Sequence, residues 1–222
     1  MSSYVYMKVL ESTPQRYDRG IHMLSGGAIE RVYQRIAELA AAPGARVLDV
    51  GCGTGNVSLA CAARGADVIG IDINAGMLEI ARTKANETDL DGSVELVELG
   101  AMEIEDRFEP ASVDAVVSCL VFSELSAAEQ EYVLTTVRSR LRPGGVLVIA
   151  DEVAPSGRAK RAWWRLRRAP LVAVTWLVTQ TSTRWVRDLD DKIRRAGFAD
   201  VRSEDFAGNF GLVSATAPEA AS

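Results

Sequence analysis

The chain has 222 residues, 48% of them hydrophobic and 25% charged, an ordinary balance for one folded domain with a sizeable core. Three cysteines without a CxxC spacing and a single histidine, His22, argue against a zinc cluster and a disulfide framework, so no metal site is expected. The formal charge of −5 is uneven: residues 153–187 hold eight bases and no acid, leaving 17 bases against 30 acids elsewhere, a cationic segment on an acidic body.

The N-terminus has no charged stretch followed by an apolar one, and no apolar run reaches the roughly 18 residues of a spanning helix. A reducing cytoplasm and no transmembrane segment are therefore the expectation. Residues 4–10 read as a short strand or a helix, which Pro14 should break. Ser25 can cap a helix over about 27–42, with Ile29, Val32, Tyr33, Ile36 and Leu39 on one face. Pro43-Gly44 ends it.

From Arg46 onward strands and helices alternate. Strands are expected at Arg46–Val50, Asp67–Asp72, 94–99, Val113–Cys119 and 146–150. Helices are expected at 56–64, closed by Gly65, and at 75–86, capped by Asn74. Another should open on the capping box Ser126 to Glu129 and stop near residue 141 at Arg142-Pro143-Gly144-Gly145. A helix over 188–196 closed by Gly197 and strands at 201–206 and 210–215, close enough for a hairpin, complete the chain. Strands that are apolar throughout, separated by helices, indicate a parallel sheet covered on both faces. Such sheets take ligands at the carboxyl ends of their strands, where strand order reverses.

The turn Gly51-Cys52-Gly53-Thr54-Gly55 follows the first strand and lets backbone approach a ligand closely. The helix after it offers unpaired N–H groups. Asp72 ends the second strand, and an acid there suits the two hydroxyls of a ribose. Glycines and Asp72 together fit a nucleoside-containing cofactor, NAD or S-adenosylmethionine. Asp49 favours the second: a carboxylate two residues before the turn suits a cationic methionine end and repels a pyrophosphate. The GxGxG spacing also departs from the dinucleotide GxGxxG.

Residues 47–55, Ile71-Asp72, Val113–Cys119 and Leu141–Gly145 followed by a strand resemble the motifs of class I S-adenosylmethionine-dependent methyltransferases, in order over about residues 44–152. The resemblance implies a Rossmann-like, doubly wound sheet of seven mostly parallel strands with the last antiparallel. It divides the chain into an N-terminal helical lid (1–43), a cofactor-binding core (44–152), a helical cap insert after strand five (153–187) and a C-terminal helix and hairpin (188–216). It also implies roles: the turn Gly51, Cys52, Gly53 and Gly55 for the methionine end, and Asp72 for the ribose. Ile73 and Met77 would neighbour the adenine, Ala101 and Met102 flank its edge, and Cys119 and Leu120 stand at the reacting end. One position departs from the pattern. Many members carry an acid after the third strand for the adenine amino group. Ala101 cannot supply one, so a backbone group, Glu103 or apolar contacts must serve.

The cofactor brings an activated methyl, so the protein mainly aligns a nucleophile and excludes water. Glu124, in the loop after the fourth strand, is a candidate base or orienting group, or else a solvated residue before a capped helix. Tyr17, with Asp18, is similar to a Tyr-Asp pair near the start of quinone and phospholipid methyltransferases and is a candidate to line the site. Ser123 reads as a turn residue, Cys119 as an apolar wall and His22 as a structural or lid residue, with a base role open to it.

Between 158 and 168, bases interleave with Trp163, Trp164 and Leu166, which suits a cap over the site whose basic face could dock an anionic surface or a protein. Nucleic acid is disfavoured by the acidic chain. Residues 7–12, 16–21 and 179–184 resemble the methyltransferases associated with corrinoid proteins, which would imply a cobalt-corrinoid protein as partner and acceptor. A small molecule, quinone or lipid acceptor stays open, as do a non-catalytic cofactor-binding subunit and a nicotinamide oxidoreductase.

Overall fold

The computed structural model describes residues 14–152, 186, 188–206 and 210–219. The expectations for 4–10, 7–12, the 153–185 insert with its basic run, and 179–184 lie outside the described residues.

Seven strands form one sheet: β1 (Arg46–Val50), β2 (Asp67–Asp72), β3 (Ser93–Glu98), β4 (Val113–Cys119), β5 (Leu141–Glu152), β6 (Ala199–Phe206) and β7 (Phe210–Thr216). Their order is β3-β2-β1-β4-β5-β7-β6. The first five run parallel, and β7 is antiparallel to both β5 and β6. This is the expected Rossmann-like, doubly wound sheet. Strand order reverses between β1 and β4, so a crevice opens at their carboxyl ends.

Alternation along the strands sends side chains to two cores. Val47, Val68, Ala115, Val117 and Val148 pack against α1 (Pro14–Ser25), α2 (Ala28–Ala40) and α3 (Asn56–Ala62). Leu48, Val50, Val116, Leu147 and Ile149 face the other way, toward α6 (Ala127–Arg140) and α7 (Leu189–Arg195). Between these lie α4 (Ala75–Glu87), a 3₁₀ turn (Ala101–Glu103) and α5 (Ile104–Arg107).

One local expectation is extended and two are corrected. Pro14 also opens α1, a helix not expected there, because its fixed φ and missing N–H suit a first helical turn; the segment before it lies outside the described residues. Ser25 is not the cap of α2; Gly27, at φ 77°, holds that position, while the Ser25 hydroxyl accepts from the Ile29 N–H at 3.4 Å. Arg142–Gly145 is not merely a stop before a strand at 146. β5 begins at Leu141, opposite Val113, and the next pair is Ala115 with Val146, so the stretch bulges out of the strand. Gly144 N–H donates to Ala217 and Ala217 N–H to Gly145, which fastens the bulge to the end of β7. The capping box forms as expected: Ser126 Oγ accepts from Glu129 N–H, and Glu129 Oε2 accepts from Ser126 N–H at 2.7 Å. The short 3₁₀ turn and α5, with Ile104 buried, had no separate signal in the sequence pattern.

Candidate functional site

A cleft of about 570 Å³ opens at the carboxyl ends of β1, β2 and β4. Twelve of the fourteen site residues expected from sequence line it or the smaller space beside it through side chain or backbone: Tyr17, Gly51, Gly53, Asp72, Ile73, Met77, Ala101, Cys119, Leu120 and Glu124 border the cleft. Asp49 and Cys52 border only the smaller cavity, shared with Tyr17, Tyr33, Thr54 and Asn56. Gly55 and Met102 border neither of these two spaces.

Each placement has a local cause. Gly51 sits at φ 70°, and a Cβ there would stand 2.2 Å from Val121 Cγ2, so the turn is pressed against the loop after β4. Gly51→Ala is expected to cost about 1–2 kcal/mol of stability, partly restored by a second change, Val121→Ala; thermal unfolding of the singles and the double checks it. At Gly53 a Cβ would meet nothing, so this side of the turn faces open space. Gly55 serves packing: it caps α3 at φ 81°, and its Cβ would press on Ala81 of α4 at 2.9 Å.

Asp72 joins the turn to the end of β2. Its Oδ2 accepts from Gly53 N–H and its Oδ1 from Asn74 N–H, both at 2.8 Å. Burial pushes its carboxyl above the usual range, opposed by those N–H groups. A carboxylate offers about four acceptor positions, so these N–H groups, with that of Ile73, leave capacity for a ligand's hydroxyl.

Asp49 is 1% exposed. It points to the α2–α3 side of β1, where Oδ2 accepts from Ser58 Oγ at 2.6 Å. Oδ1 is buried without a hydrogen-bond partner among the described residues. Burial pushes the carboxyl up to about 7, from a usual 3.8, against the Ser58 bond. A buried carboxylate with an open oxygen at a cavity wall is a socket for a cation.

The loop after β4 is held firmly. Leu120, at φ 62°, donates its N–H to Ala150. Ser123 N–H donates to Asp151 Oδ2 at 2.9 Å, and Gln130 Nε2 donates to the Phe122 and Leu125 carbonyls. This presents Val121, Leu125 and an exposed Glu124 to the cleft. Burial pushes the thiols of Cys52, Cys61 (to about 12) and Cys119 up, which leaves them neutral at physiological pH. Cys119 is thereby a wall and not a thiolate. Glu103 turns back to accept from Gly100 N–H at 2.9 Å and does not border the cleft. His22 is exposed on α1 with Nδ1 2.5 Å from Glu30 Oε1, outside the cleft lining.

Sequence reading missed Asn74, Leu99, Val121 and Leu125 as lining, and Asp151 and Gln130 as supports of the loop. Asp151 had a usable signal, an acid ending an apolar strand as Asp72 does. Gln130 had none, because its carbonyl partners are fixed only by the fold. Tyr33, expected only on one face of its helix, lines the small cavity as well; burial, then Cys119 and Tyr17, push its phenol up.

Residues 47–145 match the family profile of a methyltransferase domain. The chain is 30% identical over 190 residues to an uncharacterized methyltransferase of Synechocystis sp., covering 83% of this chain and 82% of the relative. It is 29% identical over 208 residues to the demethylmenaquinone methyltransferase of Clavibacter sepedonicus, covering 87% and 82%. The structure of an S-adenosylmethionine-dependent methyltransferase from Methanosarcina mazei shares the fold with a TM-score of 0.65 at 20% identity, over 83% of this chain and 98% of that one.

Proposed function

The chain belongs to the class I S-adenosylmethionine-dependent methyltransferases, and from that premise we propose that it delivers the methyl in line to a soft nucleophile held in an apolar cavity, the reduced cobalt of a corrinoid in a partner protein being the leading acceptor. S-adenosylmethionine is the cofactor; when bound, it supplies a methyl on a positively charged sulfur, already activated for transfer. The residues present suit it. Asp49, with its open buried Oδ1, provides the counter-charge for the cationic methionine end. The Gly51–Gly55 backbone carries that end. The remaining acceptor capacity of Asp72 takes a ribose hydroxyl. Ile73, 77% exposed, and Met77, beside the cleft, provide apolar cover for a base. With Glu103 turned to Gly100, backbone and apolar contacts hold the adenine edge near Ala101.

At the reacting end Tyr17, Cys119, Leu120, Val121 and Leu125 exclude water and hold the acceptor in line. The observation that carries the soft-nucleophile reading is this lining: it includes neither histidine nor lysine among the described residues, and its thiol stays neutral. Glu124 at the mouth orients the acceptor or takes a weakly held proton. Residues 44–152 form the cofactor-binding core in this reading, with 1–43 and 153–187 contributing the acceptor side. The charge of the 158–168 run suits an anionic partner. Among the described residues no helix is long and apolar enough to cross a membrane.

A reduced quinone ring is the second acceptor of the same chemistry, favoured by the relative named for demethylmenaquinone. Capture of partners on the full chain from its native source, followed by assays with methyl-labelled cofactor, separates the two. Co-purification of a protein with a corrinoid absorption spectrum and label on that protein support the first reading. Label in a quinone fraction with no corrinoid replaces it with the second.

A further inference from the structure

The Asp18 carboxylate ties together three segments far apart in sequence. Its Oδ1 accepts from Thr54 Oγ1 at 2.6 Å and from Asn56 Nδ2 at 2.9 Å, while Oδ2 pairs with Lys84 Nζ at 2.5 Å. Lys84 also donates to Asn56 Oδ1 at 2.8 Å, and Asn56 to Thr54 Oγ1 at 3.2 Å, so the group closes on itself. Thr54 belongs to the glycine turn, Asn56 opens α3 and Lys84 lies on α4. Thr54 is 2% exposed, whereas the Asp18 and Lys84 side chains are partly exposed.

Each element this cluster joins borders ligand space, although Lys84 itself lines neither cavity. Thr54 and Asn56 line the small cavity beside Asp49, and Tyr17, next to Asp18 on α1, lines both that cavity and the cleft. Ile21, one turn further along α1 and 2% exposed, seats the helix on the α2–α3 core. Tyr17 and Asp18 are consecutive on α1, so a movement of α1 away from the cavity would withdraw Tyr17 and part Asp18 from its three partners together. Charge-assisted bonds at a partly wet position are strong enough to hold α1 and weak enough to release it.

We infer that Asp18 is a positioning residue that latches α1 over the glycine turn and sets the rate at which the amino-acid end of the cofactor leaves. The inference rests on the S-adenosylmethionine reading of the cleft. Lys84 takes part as the ionic half of the latch, so release should quicken with salt.

The test uses S-adenosylhomocysteine release, followed by competition in stopped flow, together with amide exchange of residues 17–25. Asp18→Ala is expected to release S-adenosylhomocysteine at least about tenfold faster, and Lys84→Met several-fold faster and without the salt dependence. Arg35→Ala is the control: it breaks the Arg35–Glu204 pair between α2 and β6, outside the cleft lining, and should leave release unchanged. In Asp18→Ala the α1 amides should exchange faster than in wild type even without ligand, with the rest of the sheet unchanged. Wild-type release rates in Asp18→Ala, or equal acceleration in Arg35→Ala, overturn the latch. If wild type binds no S-adenosylhomocysteine, the cofactor reading falls. The latch is then judged on ligand-free exchange alone, where unchanged α1 protection overturns it.

Discussion

Asp49→Asn is expected to make the ligand-free protein more stable at pH 8 and, at the same time, a poorer binder of S-adenosylhomocysteine. The carboxyl of Asp49 is buried and pushed up to about 7 in the folded chain, against a usual 3.8. The folded state therefore favours its protonated form. Below about pH 4 the group is protonated folded or unfolded and costs nothing. As pH rises from there to about 7, the unfolded state gains from ionising and the folded state does not, so stability falls. Above 7 the full penalty stands, roughly 4 kcal/mol at about 1.4 kcal/mol per pKa unit. Asparagine keeps an oxygen for the Ser58 hydroxyl and removes the charge. Urea unfolding of both proteins should show a gap of a few kcal/mol at pH 8 that closes toward pH 4. Parallel curves at all pH values would show that Asp49 does not titrate as its burial implies. Ligand affinity runs the other way. A cationic amino-acid end pulls Asp49 into its ionised form, so wild-type affinity should fall as pH drops below about 7, by up to about tenfold per unit, while Asp49→Asn is weak and flat. Stability lost by burying an open carboxylate is what the site exchanges for a preformed counter-charge.

Asp72→Ala is expected to weaken S-adenosylhomocysteine binding by about 2–3 kcal/mol, roughly 30- to 150-fold, in isothermal titration. Two losses combine. The ribose hydroxyls lose a charged acceptor, and the N–H groups of Gly53 and Asn74 lose the carboxylate that holds the turn to the end of β2. Asp72→Asn keeps the shape and one acceptor oxygen and should fall between. An unchanged affinity in Asp72→Ala would remove Asp72 from the ribose.

The fold was legible wherever one local signal sufficed. Strands β2 and β4 match the expected bounds residue for residue, because continuous apolar runs are bounded by polar or turn residues. Asn74 and Ser126 cap the helices they were expected to cap, since capping needs only neighbours in sequence. The Arg142–Gly145 bulge was not legible, because its cause is Ala217, at the far end of the chain. The site divides the same way. The turn and Asp72 announce themselves by spacing. Asp18, Gln130 and Asp151 act through residues 28 or more positions away, or through loop carbonyls whose place is set by packing. Gly55 carries a second constraint that its place in the motif did not announce: a Cβ there would press on Ala81, where α3 and α4 approach closely.

The proposed cofactor site is the cleft at the carboxyl ends of β1, β2 and β4 together with the small cavity beside it, where Asp49, the glycine turn and Asp72 would hold S-adenosylmethionine. Isothermal titration of wild type with S-adenosylhomocysteine and, separately, with NADH tests it most directly. One site for S-adenosylhomocysteine, with affinity falling below pH 7 and little heat from NADH, is the predicted result. Binding of NADH without binding of S-adenosylhomocysteine would contradict it.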